Sequence, residues 1–393
     1  MKAIVIIGAG HAGLTLAREI RSQDKAVPVT IINQDPVQAY YKPNLSKALA
    51  MNKSPGDLVL KPIMALKRDL NVNIIEKTRV LKIDSEKNTV HYLAKEVEGE
   101  NQTSFGLEYQ SLILATGASP IELPIKGAAG NVVSVNTLQD YVLFRELIET
   151  KKRVLIIGAG FVGCEFASDL SGQGYEVSVV DRSSWPLQAV LPEPMGEEIK
   201  QTLSNKQVNW HFHSTVEEIQ RDDQGPLNVQ LSNKTIIQAD VILSAVGLQP
   251  NTQLAMAAGL NTRKGIVIDE HCQTSAHGIY ALGDCVEYNG QPLPFIAPAT
   301  LAAKALAKTL TGNKTRLLLP PQPVVIKIAN CPTLICPPSS RKGAREGKWQ
   351  VKGSGQDLEA QYVSTDNEFC GFALLGKKTS LKGEFLSRYS SCE

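Results

Sequence analysis

The chain has 393 residues, 43% of them hydrophobic and 20% charged, and Lys+Arg 41 against Asp+Glu 39 leaves a net charge of +2. This ordinary globular balance predicts two or three domains with a sizeable core and excludes a dedicated nucleic-acid binder, for which no dense Lys/Arg run is present. Seven cysteines, an odd number with no CxxC repeat, provide neither a zinc site nor a disulfide framework and fit a reducing compartment.

The chain enters a buried-strand pattern at once, Ala3-Ile4-Val5-Ile6-Ile7. No basic stretch followed by an apolar run and a small-residue cleavage site precedes it, and no apolar run approaches the roughly 20 residues needed to span a bilayer. A cytoplasmic protein without a signal peptide is expected. Next come Gly8-Ala9-Gly10-His11-Ala12-Gly13 and a helical pattern. In this order Gly8 permits the tight turn and Gly10 lets the backbone approach a pyrophosphate. Gly13 lets the helix pack close to its strand, and phosphates meet N–H groups at the helix start. A GxGxxG can arise by chance in a glycine-rich turn; the strand before it and the helix after it argue against that here. The second strand, Val29-Thr30-Ile31-Ile32, ends at Asn33-Gln34-Asp35, where the expected ribose-binding acid is replaced by Asn33. An amide both accepts and donates hydrogen bonds to hydroxyls.

A further strand, Leu112-Ile113-Leu114-Ala115, ends at Thr116-Gly117, and the pattern then repeats. Gly158-Ala159-Gly160-Phe161-Val162-Gly163 follows another buried strand, 150 residues after the first loop (Gly8 against Gly158). That period is far too long for a solenoid and predicts two nucleotide-binding domains. The second copy keeps its acid: Val177-Ser178-Val179-Val180 ends at Asp181, 18 residues after Gly163. Asp181 would accept from both ribose hydroxyls and repel a 2′-phosphate, favouring NADH over NADPH, although Arg182 beside it softens that preference. Val241 to Gly247 repeats the strand that ends at Gly117. Ile279-Tyr280-Ala281-Leu282 then ends at Gly283-Asp284, and a helical pattern through Ala302, Leu306 and Leu310 follows Pro294. Pro320, Pro321 and Pro323 mark a boundary. Beyond it lie β-like runs at Val324–Ile328 and Phe372–Leu375, with a polar loop expected over Arg341–Lys348.

With these motifs in this order, the chain resembles the flavoproteins built on two dinucleotide-binding domains. They use a first GxGxxG and an ATG strand end for FAD, a GxGxxGxE for NAD(P)H, and a late GD for the flavin ribityl chain. Within that group it is similar to rubredoxin–NAD(+) reductases and flavorubredoxin reductases, in Tyr41–Lys47, Gly163–Ala167, Leu243–Asn251 and Asn289–Phe295. The likeness runs from residue 1 to at least 330. It implies an α/β fold with two three-layer Rossmann-like domains and a small α+β C-terminal domain. Residues 1–117 and 247–318 would bind FAD, 118–246 would bind NADH, and 319–393 would form the C-terminal domain. It also implies site roles. Ala9 to Ala12, Asn33 and Gln34 would hold the FAD pyrophosphate and ribose, and Lys42 would lie beside the FAD. Val80 would meet the adenine through its backbone, and Asp284 would hold the ribityl chain. Ile296 would turn helix N–H groups toward the flavin N1–O2 edge, and Lys327 would reach the cofactor. Lys47 and Glu165 would form an ion pair where the nicotinamide stacks, the candidate catalytic pair.

Disulfide reductases of this group carry redox cysteines in the stretch corresponding to Tyr40–Lys53, and none is present there. Cys331 and Cys336 share a CxxxxC spacing outside that position and read as packing residues, as do Cys164 and Cys285. With no dithiol relay, electrons would leave the flavin directly and singly, which suits an acidic one-electron carrier such as rubredoxin. Lys42, Lys47, Lys377, Lys378 and Lys382 could help dock it, although solvated lysines are the default. The expected activity is NADH:rubredoxin oxidoreduction by a monomer, feeding alkane oxidation or nitric oxide and oxygen detoxification. A flavorubredoxin reductase, a ferredoxin reductase of an oxygenase system and a slow-turnover flavin-binding signalling protein stay open.

Overall fold

Strand Ala3–Ile7 is apolar throughout and buried from Ile4 onward. A strand with no solvent face belongs inside a parallel sheet covered on both sides. In the computed structural model, which describes residues 3–94, 104–221, 225–338 and 346–389, it pairs in parallel with Val29–Ile32 and with Ser104–Leu114. The chain divides into two compact units. One comprises Met1–Tyr41, Val59–Ser119 and Gln249–Pro320; the other comprises Lys42–Leu58, Pro120–Leu248 and Pro321–Glu393.

In the first unit the parallel strands run in the order Asn73–Ile75, Val29–Ile32, Ala3–Ile7, Ser104–Leu114, Ile279–Ala281. This is the order of a Rossmann-like sheet. Ser104–Leu114 changes character along its length. Its exposed first half pairs antiparallel with Thr89–Ala94, which pairs with Thr78–Asp84, and its buried second half enters the parallel sheet. Helices His11–Gln23 and Ile296–Leu310 pack on each other. Leu14, Leu16, Ala17 and Ile20 from one, with Ala302, Ala303 and Leu306 from the other, join the sheet residues in one apolar core.

In the second unit an all-parallel sheet runs Val132–Ser134, Val241–Ser244, Arg153–Ile157, Glu176–Val180, Asn209–His211. The strand Arg153–Ile157 leads into helix Phe161–Ser171 across the second glycine loop. A smaller sheet of Lys126–Gly127, Val216–Arg221, Leu227–Leu231 and Ile236–Ala239 shares its core. The C-terminal piece is a five-stranded antiparallel sheet closed by helix Lys382–Arg388, with Phe369, Phe372, Phe385 and Tyr389 packed together. The fold is therefore α/β, two Rossmann-like domains with an α+β C-terminal piece. Of the polar loop expected at Arg341–Lys348, residues 341–345 lie outside the described residues. Gly347 and Lys348 begin a strand, Gly347–Ser354, whose mostly polar, exposed sequence hid it.

Candidate dinucleotide-binding sites

The two glycine loops are built alike. Gly8 (φ +110°) and Gly158 (φ +107°) hold a conformation that disfavours side chains. A Cβ there would strike the carbonyl of Ala115 or Ala245, and a Cβ on Gly13 or Gly163 would strike the carbonyl of Gly8 or Gly158. The protein's own packing thus demands these four glycines. Gly10 and Gly160 differ: a Cβ on either would meet nothing within 4 Å. Nothing in the fold requires glycine at these two positions, and the bare backbone there leaves room for a group to approach the loop. An open backbone at the start of a helix, with free N–H groups, fits a pyrophosphate. On this observation both loops fit a dinucleotide.

The strand-end residues also correspond. Asn33 Oδ1 accepts from the Ala9 N–H at 2.8 Å, and Asp181 Oδ2 accepts from the Ala159 N–H at 2.6 Å. Each therefore fixes the second residue of its loop. Asn33 Nδ2 donates to the Asp35 carbonyl at 2.8 Å, while Asp181 Oδ1 accepts from the Ser183 N–H at 2.7 Å. The amide does the loop-holding work of the acid without its charge. Gln34 is exposed beside Asn33. The Asn33 carbonyl accepts from the Thr78 N–H at 2.9 Å, which ties the strand carrying half-buried Val80 to the same strand end.

Four further elements of the first unit meet around this loop. Thr116 Oγ1 donates to the Asn251 carbonyl at 2.8 Å, and Asn251 returns a bond from Nδ2 to the Thr116 carbonyl at 2.9 Å. The Asn251 N–H donates to the Gly117 carbonyl at 3.0 Å. Asn251 thus clamps the turn after the ATG strand end, a role its sequence position did not reveal. Gly283 (φ +86°) sits so close to Ala12 that a Cβ would press on the Ala12 methyl at 2.8 Å, which seats Asp284 beside the first loop. His11 Nε2 lies 3.1 Å from Thr300 Oγ1, which donates to the Ile296 carbonyl at 2.9 Å. With the hydroxyl proton committed there, the imidazole Nε2–H is the donor. Burial pushes the His11 pKa down, Arg18 adds to this, and Asp284 opposes it. A neutral imidazole therefore links the first loop to the first turn of Ile296–Leu310, where the Ile296 N–H has no intrahelical partner.

In the second unit the candidate pair differs from expectation. Glu165, 8% exposed on helix Phe161–Ser171, pairs with Lys327 Nζ at 3.1 Å and not with Lys47. Its other oxygen accepts from the Lys327 N–H at 3.0 Å, while the Ser46 hydroxyl donates to the oxygen that faces Lys327 Nζ. Lys327 Nζ also donates to the Pro43 carbonyl. The reason is phase: Lys42–Lys47 is a 3₁₀ helix in which Ser46 is buried and Lys47 is exposed. Lys42 Nζ donates to Asn136 Oδ1 at 2.6 Å. Two more polar residues of the same helix, Ser168 and Asp169, are buried and hold backbone N–H groups; sequence reasoning missed both.

The cysteines offer no dithiol relay among the described residues. Cys331 and Cys336 are free and buried. Burial raises both thiols, Cys336 to about 12, so the nucleophilic thiolate is disfavoured.

Comparison with known proteins accords with this geometry. Residues 2–305 match the family described as Pyridine nucleotide-disulphide oxidoreductase, and residues 316–388 match the Rubredoxin binding C-terminal domain. A Rubredoxin-NAD(+) reductase of Alcanivorax borkumensis is 38% identical over 383 residues, covering 97% of each chain. Another, of Acinetobacter baylyi, is 37% identical over 380 residues, covering 96% of this chain and 94% of that one. A putidaredoxin reductase solved in covalent complex with putidaredoxin is 25% identical with a TM-score of 0.85, over 98% of this chain and 93% of that one. The chain is an oxidoreductase belonging to the pyridine nucleotide-disulphide oxidoreductase family.

Proposed function

We propose that this protein is an NADH:rubredoxin oxidoreductase carrying FAD. The observation that carries the reading is the doubled loop in which the fold leaves the middle glycine, Gly10 or Gly160, open to a ligand. Two such cradles serve two dinucleotides, and the match of residues 316–388 to a rubredoxin-binding domain supplies the acceptor. When bound, NADH supplies a hydride and FAD accepts it and passes electrons on singly.

The residues have the following parts. Ala9 to Ala12 form the loop that holds the FAD pyrophosphate, with the Ala9 N–H held by Asn33 and the N–H groups that follow it turned to the phosphates, Asn33 and Gln34 at the ribose and the Val80 backbone at the adenine. Thr116 and Gly117 shape the turn held by Asn251, and Asp284 bonds the ribityl hydroxyls. The first N–H groups of Ile296–Leu310 favour negative charge placed before them. In the second unit Gly158, Gly160 and Gly163 receive the NADH pyrophosphate, and Asp181 takes the adenosine ribose and rejects a 2′-phosphate. Glu165, held by Lys327 and Ser46, borders the nicotinamide and orients it. A monomer in the cytoplasm completes the reading, and the buried free thiols suit a reducing compartment.

Stopped-flow reoxidation tests it. The purified yellow protein is bleached by NADH and mixed with oxidised rubredoxin, with flavorubredoxin and ferredoxin in parallel. Rubredoxin should accelerate reoxidation at least about tenfold over oxygen alone, by electrostatically steered association. No acceleration by rubredoxin would overturn the assignment, and acceleration by one of the other carriers would name the alternative.

A further inference from the structure

Glu165, Ser168 and Asp169 occupy one stripe of helix Phe161–Ser171, three and four residues apart. Each holds backbone from elsewhere in the second unit. Glu165 takes the Lys327 N–H and the Ser46 hydroxyl. Ser168 Oγ accepts from the Ala329 N–H at 3.0 Å. Asp169, 4% exposed, accepts from two consecutive amides, Leu49 at 3.2 Å on one oxygen and Ala50 at 2.8 Å on the other. A two-pronged grip on adjacent amides fixes both the position and the rotation of the turn that follows Lys42–Lys47. Ser46 lies three residues before Leu49, so its reach to Glu165 depends on that grip.

We propose that Asp169 is a positioning residue for the nicotinamide end: as an anion it seats the Lys42–Ala50 stretch so that Ser46 and Lys327 hold Glu165 in place. This rests on the reading in which Glu165 borders the nicotinamide. A carboxylate only accepts, so it can take both amides. Once protonated, one oxygen carries a donor that faces an N–H group, and one of the two bonds is lost.

The groups facing Asp169 are Arg145 and Tyr141 on helix Leu138–Ile148, Lys327, and Glu165 one turn earlier. Arg145 and Lys327 favour the anion, as do the two amides, yet burial outweighs them and raises the pKa to about 6. The Arg145 guanidinium is shared with the Lys53 carbonyl at 3.3 Å and the Tyr141 hydroxyl at 3.2 Å. The folded pKa lies above the ordinary 3.8, so the fold binds this proton more tightly than the unfolded chain does. Asp169 therefore favours folding more as pH falls from about 6 toward 3.8, while its grip on the amides weakens. Site order and stability run in opposite directions through this group, so the rate of flavin reduction, and not stability, is the readout of its positioning role.

The test uses the FAD-loaded protein. Flavin reduction by NADH is followed by stopped flow from pH 5 to pH 8. The limiting rate in the wild type should fall about tenfold on the acid side, the worth of one charge-assisted bond, with a midpoint near 6. Asp169→Asn should be slow throughout and lack that inflection, and Asp169→Glu should restore part of both. If NADH fails to bleach the wild-type flavin at pH 7.5, the underlying reading falls. If it bleaches and Asp169→Asn keeps the wild-type rate and profile, the positioning role falls. Should Asp169→Asn not fold, hydrogen exchange in the wild type decides. Protection of the 48–53 backbone, corrected for intrinsic rates, should drop below pH 6, and protection flat with pH would overturn the proposal.

Discussion

Glu165 draws its counter-charge from a lysine 162 positions away in the chain and not from Lys47, the lysine that the motif points to. The two assignments make different demands on stability. Glu165 and Lys327 have side chains only 10% and 21% exposed, and removing one member of such a pair leaves the other buried and uncompensated. Lys327→Ala should therefore lower unfolding stability by about 3 kcal/mol, whereas Lys47→Ala, at an exposed position, should change it by less than about 0.5 kcal/mol. Urea unfolding of the two variants checks this, and equal losses would restore Lys47 as the partner. The one-residue difference between Ser46 and Lys47 is set by the turn of a six-residue 3₁₀ helix, a phase that the local sequence does not encode strongly.

At the scale of elements, the second parallel sheet has a polar fastening where two adjacent interior strands begin. Asp240, just before strand Val241–Ser244, accepts from the Lys152 and Arg153 amides at 3.2 and 2.9 Å and from the Arg153 guanidinium at 2.7 Å. The guanidinium and the amides hold its pKa down at about 2. A carboxylate lowered from 3.8 stabilises the fold at pH above the unfolded value and loses that contribution as pH falls through the folded one. With Arg153 about a third exposed, solvent screening reduces the contribution to about 1–2 kcal/mol. Asp240→Asn should cost about that much at pH 7 and almost nothing at pH 2, read as the difference between two urea midpoints. The same scale shows what the sequence carried. Each glycine loop was legible because its rules are local: a buried strand, a turn only glycine can make, a helix. Asn33 and Asp181 were legible from their place at the strand end. Asp169, Ser168 and Asn251 were not, because each holds backbone N–H or C=O groups distant in sequence, which leave no side-chain signature at either end. Strand Gly347–Ser354 escaped because its alternation is nearly all polar.

For the whole molecule, net charge is only +2, so attraction of an acidic carrier depends on where positive charge is placed. The segment matched to a rubredoxin-binding domain includes Lys377 and Lys382, both exposed, while Lys378 is committed to Glu359 at 2.9 Å. The double variant Lys377→Glu/Lys382→Glu should slow flavin reoxidation by rubredoxin about tenfold at low salt and flatten its salt dependence, with flavin reduction by NADH unchanged. A salt slope identical to that of the wild type would remove these lysines from the docking surface.

Asn33 and Asp181 perform one task, holding the second residue of a glycine loop, with different charge. On the proposed assignment the first cradle receives a prosthetic group that has no phosphorylated twin, so nothing at its ribose must be turned away. The second draws from a cellular pool holding two near-identical coenzymes. A fixed negative charge is thus spent where a wrong molecule exists to be refused, and a neutral amide suffices where there is no competitor.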